Sequence, residues 1–225
     1  MKSYPHIEYW NKGIMGATVF GFDKLDGSNI RAEWSKKRGW YKFGTRNCMI
    51  DEKHEQFGHA VTLFNEKYGD GMAKVFKDNK QYRNIRSFVA FCEYAGPNSF
   101  AGFHYPDDKM DIVLFDVSIF QKGWVPPKQF INDFEHLGIP RLIYHGNLNK
   151  ELVNDIKEGK YDVKEGIMAK GIRKTKGNDI VWMVKLKTNW WLDKVKGKFG
   201  DEVLRKELNG DLALVNAINN PGIIT

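Results

Sequence analysis

FDKLDGSN, residues 22–29, joins two segments of the chain that both favour β-strands. Residues 16–22 before it are rich in β-forming side chains, and residues 29–34 alternate between polar and apolar, the period-two pattern of a half-buried strand. An Asp-Gly pair between two apolar runs is the strongest short signal for a hairpin turn. The sequence therefore predicts a β-hairpin with Lys24 in its turn, either as a polar turn residue or as a reactive amine.

The composition is that of a globular protein with an excess of basic side chains. A length of 225 residues with 42% hydrophobic and 14% aromatic residues suits one large domain, or one domain with a small helical appendage. The net charge of +7, together with the many aromatic rings, favours binding to a polyanion such as nucleic acid.

Features of a secreted or membrane protein are absent from the sequence. No apolar run approaches the length of a membrane span, and no signal peptide opens the chain. Cys48 and Cys92 lack metal-ligand spacing and are too few for a disulfide framework, so we expect small core residues in a reducing compartment. We therefore expect a cytoplasmic protein with no membrane partner, in the host cytoplasm if a phage or virus encodes it.

The remaining periodicity predicts an α+β fold. Apolar residues recur at helical spacing over 54–67, and Gly69 then predicts the end of that helix. Strands follow at 87–95 and 111–120, and a hairpin is predicted between 164 and 187. This order does not alternate regularly between strand and helix, so antiparallel sheets with helices packed outside fit better than a doubly wound sheet.

Charged side chains occur at or inside several of the apolar strands, where burial would ordinarily exclude them. These residues are Glu93, Asp116, Glu165, Lys170, Lys185 and Lys187, with Arg46 at the exit of a further strand. Each has an ordinary explanation taken alone, such as a solvated strand end or lysines that protect an edge strand from aggregation. Taken together they favour one reactive site, because all lie at strands and their chemistry suits one reaction.

In this order the charged segments resemble the motifs of the covalent nucleotidyltransferase superfamily of polynucleotide ligases and capping enzymes. The resemblance covers Lys24 to Lys187, about three-quarters of the chain. The matching segments are KLDG at 24–27, Arg46, EYAG at 93–96, Phe115-Asp116, EGIMAK at 165–170 and KLK at 185–187. Any one match is weak, and six in the same order are highly specific.

The pair Ser28-Asn29 bears on the branch of the superfamily. It resembles the Ser/Thr-Asn pair of the ATP-dependent, phage-type nick-sealing RNA ligases, whereas DNA ligases usually place arginine at the position of Asn29. Those RNA ligases typically carry histidine where this chain has Asp26, which leaves the branch open.

The resemblance implies a nucleotidyltransferase (ATP-grasp-like) fold of antiparallel sheets flanked by helices. It places an adenylyltransferase domain at residues 1–189 and a short helical C-terminal tail, packed on it, at 190–225. Only Thr188 to Thr225 follow the last motif, so we expect no OB-fold. A partner protein could then supply the binding of nucleic-acid ends that such a domain usually provides. The basic loop 173–176 and the lysines of 194–198 could also grip phosphates, or simply form a solvated face.

The implied chemistry begins with attack of Lys24 on the α-phosphorus of ATP, which expels pyrophosphate and leaves AMP as a phosphoramidate. AMP would then pass to a 5′-phosphate end, and a 3′-OH would seal the break. Attack requires the neutral amine, so we expect nearby cations or burial to lower the pKa of Lys24. An anionic transition state also calls for Mg²⁺ or Mn²⁺.

Roles for the other residues follow from the resemblance alone. We expect Lys185 and Lys187 to contact the α-phosphate of ATP, and Lys170 to contact phosphate as well. Glu93 and Arg46 would bind the ribose hydroxyls. Phe115 would stack on adenine. Glu165 would hold or orient the metal with Asp116 as a second metal residue, and Asp26 is carried over as a catalytic residue.

The expected function is therefore ATP-dependent RNA ligation in RNA repair or processing, on nicked or broken RNA. A DNA ligase and a GTP-using, capping-type guanylyltransferase remain as alternatives, and DNA is then the alternative partner. A module that binds nucleic acid without catalysis is the third hypothesis.

Overall fold

The computed structural model describes residues 1–97, 99–100, 102, 104–105, 107–176 and 179–208. The last part of the predicted tail, from residue 209 onward, lies outside this part of the chain. The chain divides into two units. The first comprises Met1–His6, Asp26–Arg141 and Gly171–Trp182, and the second comprises Ile7–Leu25, Leu142–Lys170 and the chain from Met183 onward.

The described residues form ten strands in two sheets. They are β1 (Thr18–Asp23), β2 (Gly27–Ser35), β3 (Gly39–Thr45), β4 (Met49–Ile50), β5 (Ser87–Ala95), β6 (Asp111–Ile119), β7 (Gly123–Trp124), β8 (Leu142–Asn147), β9 (Gly166–Arg173) and β10 (Ile180–Lys187). One sheet has the order β4-β3-β2-β5-β6-β7 and the other β10-β9-β1-β8. Every neighbouring pair of the first sheet is antiparallel, as is the pair β1 and β8, which confirms the predicted α+β class.

The helices of the described chain are short, apart from the last. They are α1 (Gly58–Phe64), α2 (Asp70–Asp78), α3 (Pro127–Phe134), α4 (Lys150–Lys157) and α5 (Asn189–Glu207). α4 begins where the Asn149 side chain accepts a hydrogen bond from the Leu152 amide at 2.7 Å, an ordinary N-cap. α5 is interrupted at Gly200, whose φ is +79°. Among the described residues, no helix has the length and apolar character needed to cross a membrane.

The hairpin predicted around Lys24 is wrong. β1 pairs with β8 and lies beside β9, whereas β2 pairs with β3 and β5 in the other sheet. The segment between β1 and β2 is therefore a connection between sheets. A local Asp-Gly signal cannot reveal this, because both strands find partners that are distant in sequence.

The helix end predicted at Gly69 is also wrong. α1 runs into one π-helical segment, Asn65–Gly69, and α2 follows without a break. Gly69 has φ −48° and ψ −62°, so it is helical rather than a left-handed stop. Its carbonyl accepts a hydrogen bond from the Trp40 indole at 2.8 Å. This bond ties strand β3, which carries Trp40, to the helical segment.

Aromatic side chains form the core of the first unit. Phe76 of α2 stacks on Phe88 of β5 with ring centroids 3.8 Å apart and planes 2° from parallel. Trp34 and Tyr82 pack against Phe88 at 5.8 and 5.2 Å, and all four rings are buried. Each such ring contributes about 2–3 kcal/mol through removal of apolar surface from water. This core holds β2 and β5 in register.

Candidate active site

Lys24 follows directly on β1, beside β9. Its backbone N–H donates to the carbonyl of Gly166 at 2.9 Å, and its Nζ lies 2.7 Å from Glu165 Oε1. Gly166 has φ +144°, and a Cβ there would lie 1.9 Å from the backbone oxygen of Leu186. Only glycine permits this approach of β9 to β10, so Gly166 allows Glu165 to reach Lys24.

Glu165 is the centre of a buried charge cluster in the second unit. It is 2% exposed, and its Oε1 also accepts a hydrogen bond from Lys187 Nζ. Its second oxygen, Oε2, is buried and has no hydrogen-bond partner among the described residues. One oxygen of the carboxylate therefore binds two ammonium groups, and the other oxygen can still accept a hydrogen bond or bind a metal ion.

The other two lysines predicted for this site are buried in the same sheet. Lys185 is 6% exposed and lies over the Tyr9 ring, 4.7 Å from its centroid. Lys170 is 2% exposed and lies 5.2 Å from the centroid of Phe22. Lys187 lies 3.4 Å from the centroid of Trp191. Cation–π contacts of this kind stabilise ammonium groups that burial removes from water.

The edge-strand explanation for the lysines of β10 does not hold. The Lys185 amide donates to the carbonyl of Glu8 at 2.9 Å, and its carbonyl accepts a bond from the Trp10 amide at 3.4 Å. The chain around Tyr9 therefore covers β10, and the lysine side chains are buried rather than solvated. Tyr9 and Trp191 have no motif signal and were missed in the sequence.

Asp26 belongs to the first unit and is buried. Its Oδ2 lies 3.2 Å from His104 Nε2, an imidazole supplied by the loop that precedes β6. The backbone amide of His104 donates to Asp108 Oδ2 at 2.7 Å, which helps to fix the loop. The lysine motif of this chain therefore places a buried aspartate against a histidine. No spacing in the sequence identifies His104.

Glu93 lies opposite Asn29 in the β2–β5 ladder. The Asn29 side-chain oxygen is buried and has no hydrogen-bond partner among the described residues. Two residues away, a Cβ on Gly27 would lie 2.4 Å from the backbone oxygen of Tyr94, so close pairing here requires glycine. Glu93 and Asn29 thus form an adjacent pair of acceptors, suited to a ligand that carries hydroxyl groups.

Phe115 and Asp116 lie at a β-bulge. Phe91 is opposite Asp116 while Cys92 is opposite Leu114, so Phe115 is the extra residue of β6. Asp116 is buried and both its oxygens accept hydrogen bonds, from the Tyr4 hydroxyl at 2.9 Å and from the Val117 amide at 3.2 Å.

Tyr4 connects these two side chains. Its ring contacts the half-buried Phe115 edge to face, with centroids 4.9 Å apart. Burial, and then the charge and hydrogen bond of Asp116, raise the pKa of Tyr4 well above its usual value. The sequence shows only polar character around Tyr4, and nothing in it predicts this contact.

The remaining predicted residues are Arg46, the basic loop and the lysines of α5. Arg46 is exposed after the end of β3. Residues 173–176 of the basic loop are also exposed. Lys194 lies 4.3 Å from the centroid of the Trp190 ring, and Lys196 forms an ion pair with Asp201 at 3.3 Å.

The structure thus brings Lys24, Glu165 and Lys187 into direct contact. Lys170 and Lys185 lie in the same unit, whereas Asp26, Arg46, Glu93, Phe115 and Asp116 belong to the first unit. Among the described residues, no three or more His, Cys, Asp or Glu side chains group as ligands for a metal. The Oε2 atom of Glu165, which has no hydrogen-bond partner among the described residues, suits a Mg²⁺ ion. Such an ion usually takes its other ligands from phosphate and water.

Comparison with known proteins gives a family match. A family model described as RNA ligase matches residues 17–187, which is well over half of the chain. No curated protein sequence matches the chain.

Solved structures share the fold at low sequence identity. A Naegleria gruberi RNA ligase variant with ATP and Mn is 17% identical with a TM-score of 0.63, and the match covers 87% of this chain and 59% of that protein. A second variant of that ligase, with AMP and Mn, is 16% identical with a TM-score of 0.63 and coverages of 88% and 59%. An archaeal ATP-dependent RNA ligase is 12% identical with a TM-score of 0.65 and coverages of 100% and 59%. The chain therefore spans about three-fifths of the length of these relatives.

Proposed function

Because the chain belongs to the RNA ligase family, whose model matches residues 17–187, we propose that it is an ATP-dependent RNA ligase. Lys24 Nζ attacks the α-phosphorus of ATP, a nitrogen–phosphorus bond forms, and the bond to pyrophosphate breaks as the amine loses a proton. The lysyl-AMP then passes AMP to the 5′-phosphate of an RNA break, and the 3′-OH seals it with release of AMP. The neighbours with ATP and AMP support the choice of nucleotide.

The observation that carries this proposal is the Lys24–Glu165–Lys187 cluster. A lysine with 21% of its side chain exposed, held at 2.7 Å by a buried carboxylate, is both accessible and fixed in position. Lys187 pairs with the same carboxylate oxygen and supplies a second positive charge for an entering phosphate. An entering phosphate would compete with Glu165 for the two ammonium groups.

We propose the same roles for the other residues as the motifs suggest. Lys170 and Lys185 bind phosphate, Glu93 and Arg46 bind the ribose hydroxyls, and Phe115 stacks on adenine. Asn29, opposite Glu93, adds a further ribose acceptor.

Mg²⁺ or Mn²⁺, when bound, supplies charge compensation at the phosphates, and Glu165 is the residue whose Oε2 atom suits it. Asp116 remains our second metal residue, although it already accepts two hydrogen bonds. Asp26, with His104, is proposed to orient the lysine motif.

At the level of the whole chain, we propose that residues 1–189 form the adenylyltransferase domain with the following helix as its tail. We place the protein in the cytoplasm, with RNA as its partner and a phage-type, nick-sealing specificity. The net charge of +7 supports a polyanionic substrate.

The test is transfer of label from ATP, radiolabelled at its α-phosphate, to the protein in the presence of Mg²⁺, read on a denaturing gel. We expect the wild type to be labelled and Lys24→Ala to lose the label. Lys160→Ala is the matched control, because Lys160 also pairs with a carboxylate of the second unit, Asp155 at 2.6 Å, away from β1. Absence of label on the wild type, or label that survives Lys24→Ala, would contradict the proposal.

The same assay separates the alternatives. Labelling by GTP in preference to ATP would indicate a capping-type guanylyltransferase. Nicked duplexes with either RNA or DNA on the 3′-OH side then distinguish an RNA ligase from a DNA ligase, and we expect sealing only with RNA.

A further inference from the structure

A basic cleft lies in the first unit, at the end of the β2–β5 ladder. Its volume is about 350 Å³. The turn after β2 and the segment before β5 form its two sides. Its lining residues include Ser35, Lys36, Lys37, Arg83, Ile85 and Arg86.

Four cationic side chains line the cleft, and no carboxylate among the described residues does so. Lys36, Lys37, Arg83 and Arg86 are all exposed, while Ile85 is buried beneath them. Lys36 Nζ donates a hydrogen bond to the carbonyl of Arg83, which ties the two sides together. Like charges gathered without compensation repel one another, so an anionic ligand would stabilise this arrangement.

Asp133, a carboxylate of the same unit, accepts hydrogen bonds from the segment that precedes the cleft residues. Tyr82 precedes Arg83 and donates its hydroxyl proton to Asp133, which also accepts a bond from Asn79 at 3.2 Å. Through these hydrogen bonds, Asp133 holds the segment between α2 and β5 in place. It fixes the backbone that presents Arg83 and Arg86 without neutralising them.

The cleft is separate from the residues proposed to bind ATP in this unit. Ser35 pairs with Ser87 at one end of the ladder, and Gly27 pairs with Ala95 at the other. Eight residues of strand at about 3.3 Å each separate the ends by about 26 Å. Glu93 is six residues from Ser87, so about 20 Å lies between it and the cleft.

We propose that this cleft binds the phosphodiester backbone of the RNA substrate at a distance from the break. The proposal rests on the proposed function, and it names a contact that none of the nucleotidyltransferase motifs includes. No aromatic residue of the described chain lines the cleft, so it would hold phosphates without reading bases. Cations on long side chains around an open cleft suit an extended polyanion better than a small nucleotide, which needs a more enclosed pocket.

The test is the salt dependence of RNA binding. Lys37, Arg83 and Arg86 are replaced together by Gln, and Lys36 is kept because its hydrogen bond to Arg83 is structural. The control replaces Lys74, Lys122 and Lys128 by Gln, three exposed lysines of the same unit that do not line the cleft. Both variants lose the same charge, so they differ only in position.

Fluorescence anisotropy of a labelled, nicked RNA duplex is measured from low to moderate salt. The slope of log K against log salt changes by about 0.9 for each phosphate contact, so the cleft variant should lose about two to three units of slope. We expect at least about tenfold weaker binding at low salt for it, with the control close to wild type. Labelling by ATP should be unchanged in both variants.

Two results can be told apart. If the wild type takes up label and binds RNA while the cleft variant and the control show equal slopes, the cleft proposal is overturned and the ligase function stands. If the wild type takes up no label and binds no RNA, the proposed function itself fails.

Discussion

At the scale of single residues, the notable feature is that Lys24 and Lys187 share one oxygen of Glu165. Lys187 alone would be costly to bury, since it is 3% exposed and Glu165 only 2%. A phosphate that enters between the lysines can replace the carboxylate as their partner. The cluster thus explains why a glutamate and two lysines from three distant segments are needed together.

We expect Glu165→Gln to weaken both folding and reaction. The amide keeps the shape but leaves the buried Lys187 ammonium without a counter-charge, so the free energy of unfolding should fall by about 2–4 kcal/mol. Adenylylation should fall roughly 10²-fold, since a group that positions charge is lost. Urea unfolding at pH 7 and the label-transfer assay measure the two effects.

Lys187→Met supplies the control for the stability effect. In the double variant the uncompensated charge is gone, so Glu165→Gln/Lys187→Met should be more stable than Glu165→Gln alone. Strict additivity of the two single changes would show that the carboxylate and this ammonium do not interact.

At the scale of elements, Gly69 shows how a glycine can mislead. A glycine after a run of helical periodicity usually marks a left-handed C-terminal cap. Here the chain stays helical through Asn65–Gly69 and on to Asp78, and the Trp40 indole satisfies the Gly69 carbonyl. The tertiary contact with β3 therefore overrides the local signal.

This difference is testable by Gly69→Ala. Because Gly69 is helical and a Cβ there would meet only Trp40 Cδ1 at 4.0 Å, alanine should stabilise the protein by about 0.5–1 kcal/mol. Gly16→Ala is the comparison, since φ is +85° there and nothing lies within 4 Å, so backbone strain alone should destabilise it by about 1 kcal/mol. Thermal unfolding that shows both variants destabilised alike would mean that Gly69 is a stop after all.

At the scale of the whole molecule, stability should depend strongly on alkaline pH. Burial is the largest cause that raises the pKa of Tyr4, Tyr68 and Tyr82, and hydrogen bonding to Asp133 adds to the effect at Tyr82. A raised pKa means that the folded state binds the proton more tightly than the unfolded state does. The stabilisation is complete below about pH 10 and is lost as the pH rises from there.

Each tyrosine should reduce the free energy of unfolding by about 1.4 kcal/mol per pH unit above pH 10. Urea unfolding at half-unit steps between pH 10 and 11.5 gives the slope. Tyr82→Phe should lessen that slope by about 1.4 kcal/mol per pH unit, because one proton fewer is involved. The same slope in wild type and variant would show that Tyr82 ionises as readily in the folded protein as in the unfolded one.

Much of the order of strands along the chain could be predicted from the sequence. β5 begins and ends at the residues predicted for it, Ser87 and Ala95, and Asn149, which caps α4, is of a residue type preferred at helix starts. These features are local, since a strand's alternation and a helix cap depend on residues that are neighbours in the chain. The six ordered motifs, from Lys24 to Lys187, likewise need only the sequence.

The contacts around those residues depended on tertiary structure. Tyr4 and His104 reach Asp116 and Asp26 across 112 and 78 residues, and no periodicity carries such a relation. The pairing of β1 with β8 rather than β2 is of the same kind, because strands accept any partner whose register buries their apolar face. The sequence by itself determined that Lys24 is the reactive lysine to test. Only the folding of distant segments together decided that Glu165 holds it, because an ion pair needs proximity in space and not in the chain.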